Sequence, residues 1–406
     1  MRLTANTLAA WLCVGLFACA ALPLCLSNYD QGRAFSDQVT YHYPTIVHFA
    51  DGGGIADYPS ATTPGYHLLL AAVAKWISAS EPVLKIANSV FTMLFVGLLT
   101  WMIAQRTGAA ALSAVLVLPV LTSIYVFPAG VWLLPDNLAW LSVLCMLFLA
   151  TRFSDSLQWY LLVALTLVAA VLVRQSNLWL CLLVFAVVPK RPAAIAAAAL
   201  VTLPAVAVLA YFVEVWHGLT PPTFVEKHTG LNLAAVPFFF TVLAFYSAFY
   251  LPLVFRQVRI IPAPHLYLGA LFGGLTAVVT PTDWNPEEGR TSGLWNLARM
   301  LPAVHHRALS IVVLAALGGA AAMIWVSVAR PRTRAIVAAS AVGFMAAQGV
   351  SHFVYERYYS GLIFMLILLC LTDGRAAEAE PVPRWAAAGP VVFALINLGV
   401  LGAGLI

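Results

Sequence analysis

The sequence predicts an all-α polytopic membrane protein of about 13 transmembrane helices, with short interfacial helices in its first outer loop. Three observations lead there. Hydrophobic residues are 62% of the 406 and charged residues 9%, where soluble chains carry about 25%. Mean hydropathy is +0.91. The apolar residues also fall into runs of membrane-spanning length instead of following an amphipathic period. This composition excludes a soluble enzyme, a coiled coil and a disordered chain. At about 20 residues a span, ~13 spans occupy roughly 260 residues and leave room for one or two sizeable loops. Residues 1–406 are therefore read as a single integral membrane domain.

The runs, in order, are 7–26, 64–79, 84–104, 109–127, 131–151, 158–173, 176–189, 193–212, 236–255, 263–281, 308–329, 335–353, 358–372 and 385–404. The bilayer offers no water to the backbone, so each run is read as a helix that closes its own hydrogen bonds. Run 7–26 follows Arg2 without an A-x-A cleavage pattern after it, and is read as a first span instead of a signal peptide. Lys and Arg in the short loops set the orientation. Lys190 and Arg191, Arg256 and Arg259, and Arg330, Arg332 and Arg334 mark three cytoplasmic turns, which leaves 213–235, 282–307 and 354–357 outside. Segment 27–63 is outer too, with Asp30, Asp37, Asp51 and Asp57 against Arg33 alone.

Seven full spans before Lys190 would carry that residue outside. One run between 109 and 173 is therefore expected to enter without crossing, at the Pro-rich stretch from Phe127-Pro128 to Pro135-Asp136. Lys75 and Lys85 bracket the turn after the second run and are read as cytoplasmic anchors. The surplus of 21 Lys+Arg over 16 Asp+Glu suits such loops and implies no nucleic-acid partner. All six cysteines lie in apolar stretches, without metal spacing or a disulfide framework.

The polar chemistry is thus concentrated on the outer face. In the first loop, residues 38–50 alternate polar and aromatic side chains, which predicts a short interfacial helix capped by Ser36 or Asp37 and bent at Pro44. Asp37 is a candidate general base or, more blandly, a helix cap or a solvated acid. His42 is a candidate binding residue or an interfacial hydrogen bonder. Thr62-Thr63-Pro64-Gly65 reads as the start of a helix, whose N–H groups and dipole favour an anionic phosphate. Arg174, followed by Gln175 and Asn177, is either an anchor beside Trp179 or a binding cluster at the foot of an outer cavity. Arg290 lies in the loop 282–307 among mixed charges, and Glu356, Arg357 and Tyr358 form the last outer edge. A guanidinium can hold two phosphate oxygens at once, which suits Arg357 to a lipid phosphate.

Taken in order, Asp37…His42-Tyr43-Pro44, Thr62-Thr63-Pro64-Gly65-Tyr66, Leu84-Lys85-Ile86-Ala87-Asn88, Arg174-Gln175-Ser176-Asn177-Leu178-Trp179 and Glu356-Arg357-Tyr358-Tyr359 resemble a known family. The pattern is similar to the dolichyl-phosphate-glucose-dependent alpha-1,2-glucosyltransferases of the N-glycan precursor pathway, and more broadly to the GT-C membrane glycosyltransferases. In that family an Asp-Glu pair precedes the histidine by four, whereas here Gln38 follows Asp37 and His42 lies five residues on. In a regular helix that offset sets two side chains ~140° apart.

The resemblance implies a GT-C-like bundle and a polyprenyl- or dolichyl-phosphate sugar as donor. It also implies a lipid-linked or cell-envelope glycan as acceptor and a catalytic carboxylate, Asp37, in the first outer loop. His42, Thr62, Thr63, Arg174, Gln175, Asn177, Arg290, Glu356, Arg357 and Tyr358 become the candidate substrate-binding set. No nucleotide or other cofactor is implied, and Gln38 in place of the second acid offers no support for a divalent metal. The implied setting is a bacterial inner membrane, or the ER membrane in a eukaryote. Two other readings stand beside it: a transporter or flippase for a lipid-linked sugar, and a non-catalytic membrane assembly subunit.

Overall fold

A computed structural model describes residues 5–27, 32–225, 230–373 and 384–404; Asp30 of the first outer loop lies outside them. Among the described residues, six helices are long and apolar enough to cross a bilayer on their own: Ala5–Leu26, Glu81–Thr107, Pro192–Trp216, Ala235–Val258, Leu309–Val328 and Trp385–Gly402. Apolar helices of 10–17 residues accompany them. The all-α, multi-pass class read from the sequence is therefore the class of the fold. The chain divides into two compact units, Met1–His228 with Phe393–Ile406, and Thr229–Val392.

The first unit opens with α1 (Ala5–Leu26), then α2 (Arg33–Asp37), α3 (Tyr43–Ala50), α4 (Gly65–Trp76) and α5 (Glu81–Thr107). Helices α1 and α5 run antiparallel. Cys25 Sγ lies 3.3 Å from Ser89 Oγ near one end, and Val14 touches Gly97 further along. The end of α1 and the start of α5 therefore lie on the same side, and everything between them returns to that side. Helix α4 cannot cross in between, because its 12 residues extend only ~18 Å against a core of about 30 Å. It lies instead against the next bundle. A Cβ on Gly65 would stand 2.6 Å from the carbonyl oxygen of Leu172, so only glycine permits that approach.

This corrects the topology expected from the sequence. Run 64–79 starts and ends at one end of the first unit, and the chain at 109–173 runs back and forth between its two ends. Helices α6 (Ala110–Leu121) and α7 (Val126–Val131) climb to a turn beside the first turns of α5, where the Asn88 Nδ2 amide donates to Ala129 O and Trp132 O. Helix α8 (Asp136–Thr151) descends parallel to α5, with Asn137 on Thr92 at the top and Arg152 bonded to Gln105 at the bottom. Helix α9 (Leu157–Val173) returns, a 3-10 turn (Gln175–Leu180) and α10 (Cys181–Val187) descend, and α11 (Pro192–Trp216) rises. With α4 removed from the count, Lys190 and Arg191 fall on the N-terminal side of the bundle, as their charge requires. Lys75 and Lys85 fall at the opposite end of the first unit from Lys190 and Arg191. Lys85 is no cytoplasmic anchor: it is 3% exposed and pairs with Glu81 at 3.8 Å.

The second unit holds α12 (Ala235–Tyr250), α13 (Ala263–Val279), α14 (Leu309–Val328), α15 (Pro331–Gly349), α16 (Arg357–Asp373) and the first turn of α17 (Ala388–Gly402). A Cβ on Gly319 would meet the carbonyl oxygen of Gly269 at 2.0 Å, so α13 and α14 pack backbone to backbone. Between them the chain forms the hairpin Ala303–Val304 with Arg307–Ala308.

In a cysteine-free background, Ala79→Cys is expected to react with an impermeant maleimide from the same membrane side as Asp51→Cys. Labelling of the two from opposite sides would restore 64–79 as a span.

Candidate active site

Residues 33–50 form one continuous stretch in which α2 and α3 are joined by a π-helical turn over Gln38–His42. Pro44 supplies the reason. It has no N–H to donate, and in an α-helix its ring would strike the carbonyl of residue 40. The chain widens instead, with the Tyr43 N–H donating to Gln38 O five residues back. Thr45 Oγ1 donates to the Tyr41 carbonyl at 2.6 Å. Such turns recur at functional sites. Here the wide ring brings residues five apart onto one face, so Asp37 and His42 are aligned where a regular helix would separate them. The expected cap is absent: Ser36 lies inside α2, and the half-buried Asp37 side chain caps no helix end.

Gln38 holds this turn in place. Its side chain is fully buried. Its amide donates from Nε2 to Glu81 Oε2 at 2.7 Å and accepts from the Leu133 N–H at 3.0 Å. One neutral amide thus ties the loop to the start of α5 and to the turn before α8. A glutamate here would face the Glu81 carboxylate and would have no proton to give it at neutral pH.

Beside it, His42 Nδ1 and His67 Nε2 meet at 3.0 Å with their rings stacked. His67 is fully buried on α4, and burial, reinforced by His42, drives its pKa well below the ordinary imidazole range. Tyr66 next to it donates to Asn88 Oδ1 at 3.0 Å. Tyr58 donates to Thr62 O at 2.7 Å, and burial, with the Asp57 charge, raises its pKa and keeps that proton in place.

The threonines and the 174–177 cluster meet as a clamp. Thr63 Oγ1 donates to Val171 O at 2.6 Å, and its N–H donates to Gln175 Oε1 at 3.1 Å. Gln175 Nε2 returns bonds to Ala61 O and Leu219 O, while Asn177 Nδ2 donates to Ala170 O. Thr62 shares a hydroxyl contact with Ser60. Arg174 pairs with Asp136 at 3.3 Å, both nearly buried. These groups bind the loop to α9 and to the segment after α11 and account for the polar residues there.

In the second unit, Arg290 is 2% exposed and folds its own loop through Asp283 and Glu288. Glu356 accepts from the Leu294 N–H at 2.7 Å and from Tyr246 at 3.4 Å. Arg357 opens α16 half-buried, its guanidinium over the rings of Tyr355 and Tyr358 and donating to the Tyr358 hydroxyl at 3.3 Å. Arg290 and Glu356 are thus engaged in holding structure, and the Arg357 guanidinium rests on aromatic faces.

Several residues of these networks were not among the candidate site residues read from the sequence. His67 sat in a run taken for a span, Glu81 and Lys85 flanked its supposed inner end, and Asp136 belonged to a stretch taken for a break. The only available signal was the interruption of run 64–79 by Gly65, His67 and Lys75 within three turns.

No protein-family profile matches the chain, and no curated protein matches it. Among solved structures, ArnT from Cupriavidus metallidurans aligns in its apo state at 17% identity over 90% of this chain. Bound to undecaprenyl phosphate, it aligns at 15% identity over 89%. Each alignment covers 78% of the ArnT chain with a TM-score of 0.37. A likeness of that degree carries no argument about chemistry.

Gln38→Glu is expected to cost about 1–3 kcal/mol by stripping Glu81 of its donor and adding a like charge. Urea or thermal unfolding in detergent measures it; an unchanged midpoint would remove Gln38 as the anchor of the turn.

Proposed function

We propose that the chain is a GT-C-type membrane glycosyltransferase that moves a monosaccharide from a polyprenyl- or dolichyl-phosphate donor to a hydroxyl of a lipid-linked or cell-envelope glycan on the outer face. The sequence islands supply the resemblance. The observation that supports the reading is the π-turn over Gln38–His42, whose wide ring turns the half-buried Asp37 and the buried His42 toward one face.

In this mechanism Asp37 takes the proton of the acceptor hydroxyl as that oxygen attacks the anomeric carbon. The lipid phosphate leaves from the opposite face of the sugar, so the configuration inverts. The leaving phosphate gains negative charge, so a fixed cation beside it stabilises the transition state more than the ground state. Arg357 is the candidate for that role. Thr62, Thr63, Gln175 and Asn177 shape the loop and the helix ends around the base, and Arg174, neutralised by Asp136, does the same. In the first unit, the ionisable groups lie at the ends of the bundle. That suits chemistry at the surface better than a path through both leaflets.

Asp37→Asn is expected to abolish transfer from a polyprenyl-phosphate sugar while leaving yield and unfolding midpoint unchanged; near-normal turnover would eliminate Asp37 as the base. Arg357→Ala is expected to raise the donor KM about tenfold or more. An unaltered donor dependence would withdraw its phosphate role.

A further inference from the structure

The hairpin between α13 and α14 is pinned in a strained turn and yet almost wholly exposed. Its strands pair Ala303 with Ala308 and Val304 with Arg307, so His305 and His306 form a two-residue turn. Both have positive φ, 48° and 63°, where such a turn ordinarily takes Asn or Gly. The turn is nailed to the end of α13. The His306 carbonyl accepts from the Thr282 and Asp283 N–H groups, its ring meets Asp283 Oδ2 at 2.8 Å, and Arg307 Nε donates to Val278 O at 2.9 Å.

Every residue from Arg299 to His306 is exposed, with Met300 at 74% and Val304 at 65%. A fixed apolar run facing water marks an interaction surface. Here it continues an apolar stripe. Gly269 and Gly273 set one face of α13 against the backbone of α14, and another face exposes Leu268, Leu271, Leu275 and Val279. That stripe suits lipid, and the hairpin stands at its end, where hydrocarbon gives way to headgroups. The charge offered there is positive. Arg299 lays its guanidinium over the Trp284 ring, 4.6 Å from the centroid, and its side chain makes no hydrogen bond or ion pair with a described residue. Its donors are thus oriented and unspent. Asp283 and Glu288 are engaged by Arg290, and the exposed Glu287 forms no ion pair among the described residues.

We propose that this hairpin is a binding surface for an anionic phospholipid of the surrounding leaflet. Arg299, steadied by Trp284, takes the headgroup phosphate, and Met300, Leu301 and Val304 lie against the acyl chains. A guanidinium can grip two phosphate oxygens, and one already stacked on a ring loses little freedom in doing so. The pinned turn holds Val304 at the level of the chains. Neither the surface nor its test depends on the glycosyltransferase reading.

The test is native mass spectrometry of the full-length protein released from detergent, as wild type, Arg299→Gln, Arg299→Lys and the double variant Met300→Ser/Val304→Ser. The probes are phosphatidylglycerol, phosphatidylcholine, undecaprenyl phosphate and glycerol 3-phosphate. The wild type is expected to bind phosphatidylglycerol about fivefold more tightly than phosphatidylcholine, and Arg299→Gln to lose that preference at one lipid site. Arg299→Lys should keep most of it, and the double variant should weaken both phospholipids. A photoreactive phosphatidylglycerol should label residues 299–306 of the wild type. Unchanged phosphatidylglycerol binding in Arg299→Gln, or labelling confined to other segments, would overturn the proposal. So would displacement of the lipid by glycerol 3-phosphate, which would make this a site for free phosphate. A loss of undecaprenyl phosphate alone in Arg299→Gln would give the site to a polyprenyl lipid and refute the phospholipid assignment. Should the double variant not fold, the Arg299 variants and the labelling decide.

Discussion

The amide of Gln38 is the constraint on which the outer end of the first unit depends. An amide in an apolar interior costs several kcal/mol unless both of its ends are filled. Here each end is filled by a group from a different part of the chain, the Glu81 carboxylate and the Leu133 N–H. The loop can satisfy that amide in one position only. That position fixes the π-turn, and the π-turn fixes which residues share a face with Asp37. A neutral side chain suits this better than a charged one. It donates and accepts at once, and it adds no charge beside Glu81 and the buried Lys85.

The remaining polar groups divide between cohesion and chemistry. Thr63, Gln175 and Asn177 direct their hydrogen bonds to backbone carbonyls and amides, which suits parts that hold helix ends together. The Asp136–Arg174 pair offsets two charges that would each be costly at a bilayer edge. Arg290 plays the same part in its own loop of the second unit. Asp37 stands apart from these on the π-turn, where its side chain makes no helix cap, and the two stacked histidines join the loop to α4.

Much of this was legible in the sequence, and the failures have definite causes. The apolar runs identified the membrane class, and Lys190 and Arg191 lie at the same end of the first unit as the start of α1, because hydropathy and loop charge are both properties of composition. Run 64–79 misled because hydropathy does not report helix length. The helix it forms is 12 residues long, with Gly65 set against α9 and His67 turned to the interior. That one misreading reversed Lys85 and shifted the supposed break to 109–173. The alignment of Asp37 with His42 was hidden because a regular helix was assumed where Pro44 prevents one. The partner of Arg174 lies 38 residues away, beyond any local pattern.

The most direct measurement is a cryo-EM map of the protein with a polyprenyl-phosphate sugar bound. The sugar is expected against the Asp37–His42 face of the first loop, with its anomeric carbon accessible to an acceptor that Asp37 can deprotonate. Density for the sugar confined to the opposite end of the first unit, beside Lys190 and Arg191, would contradict the role given to that carboxylate.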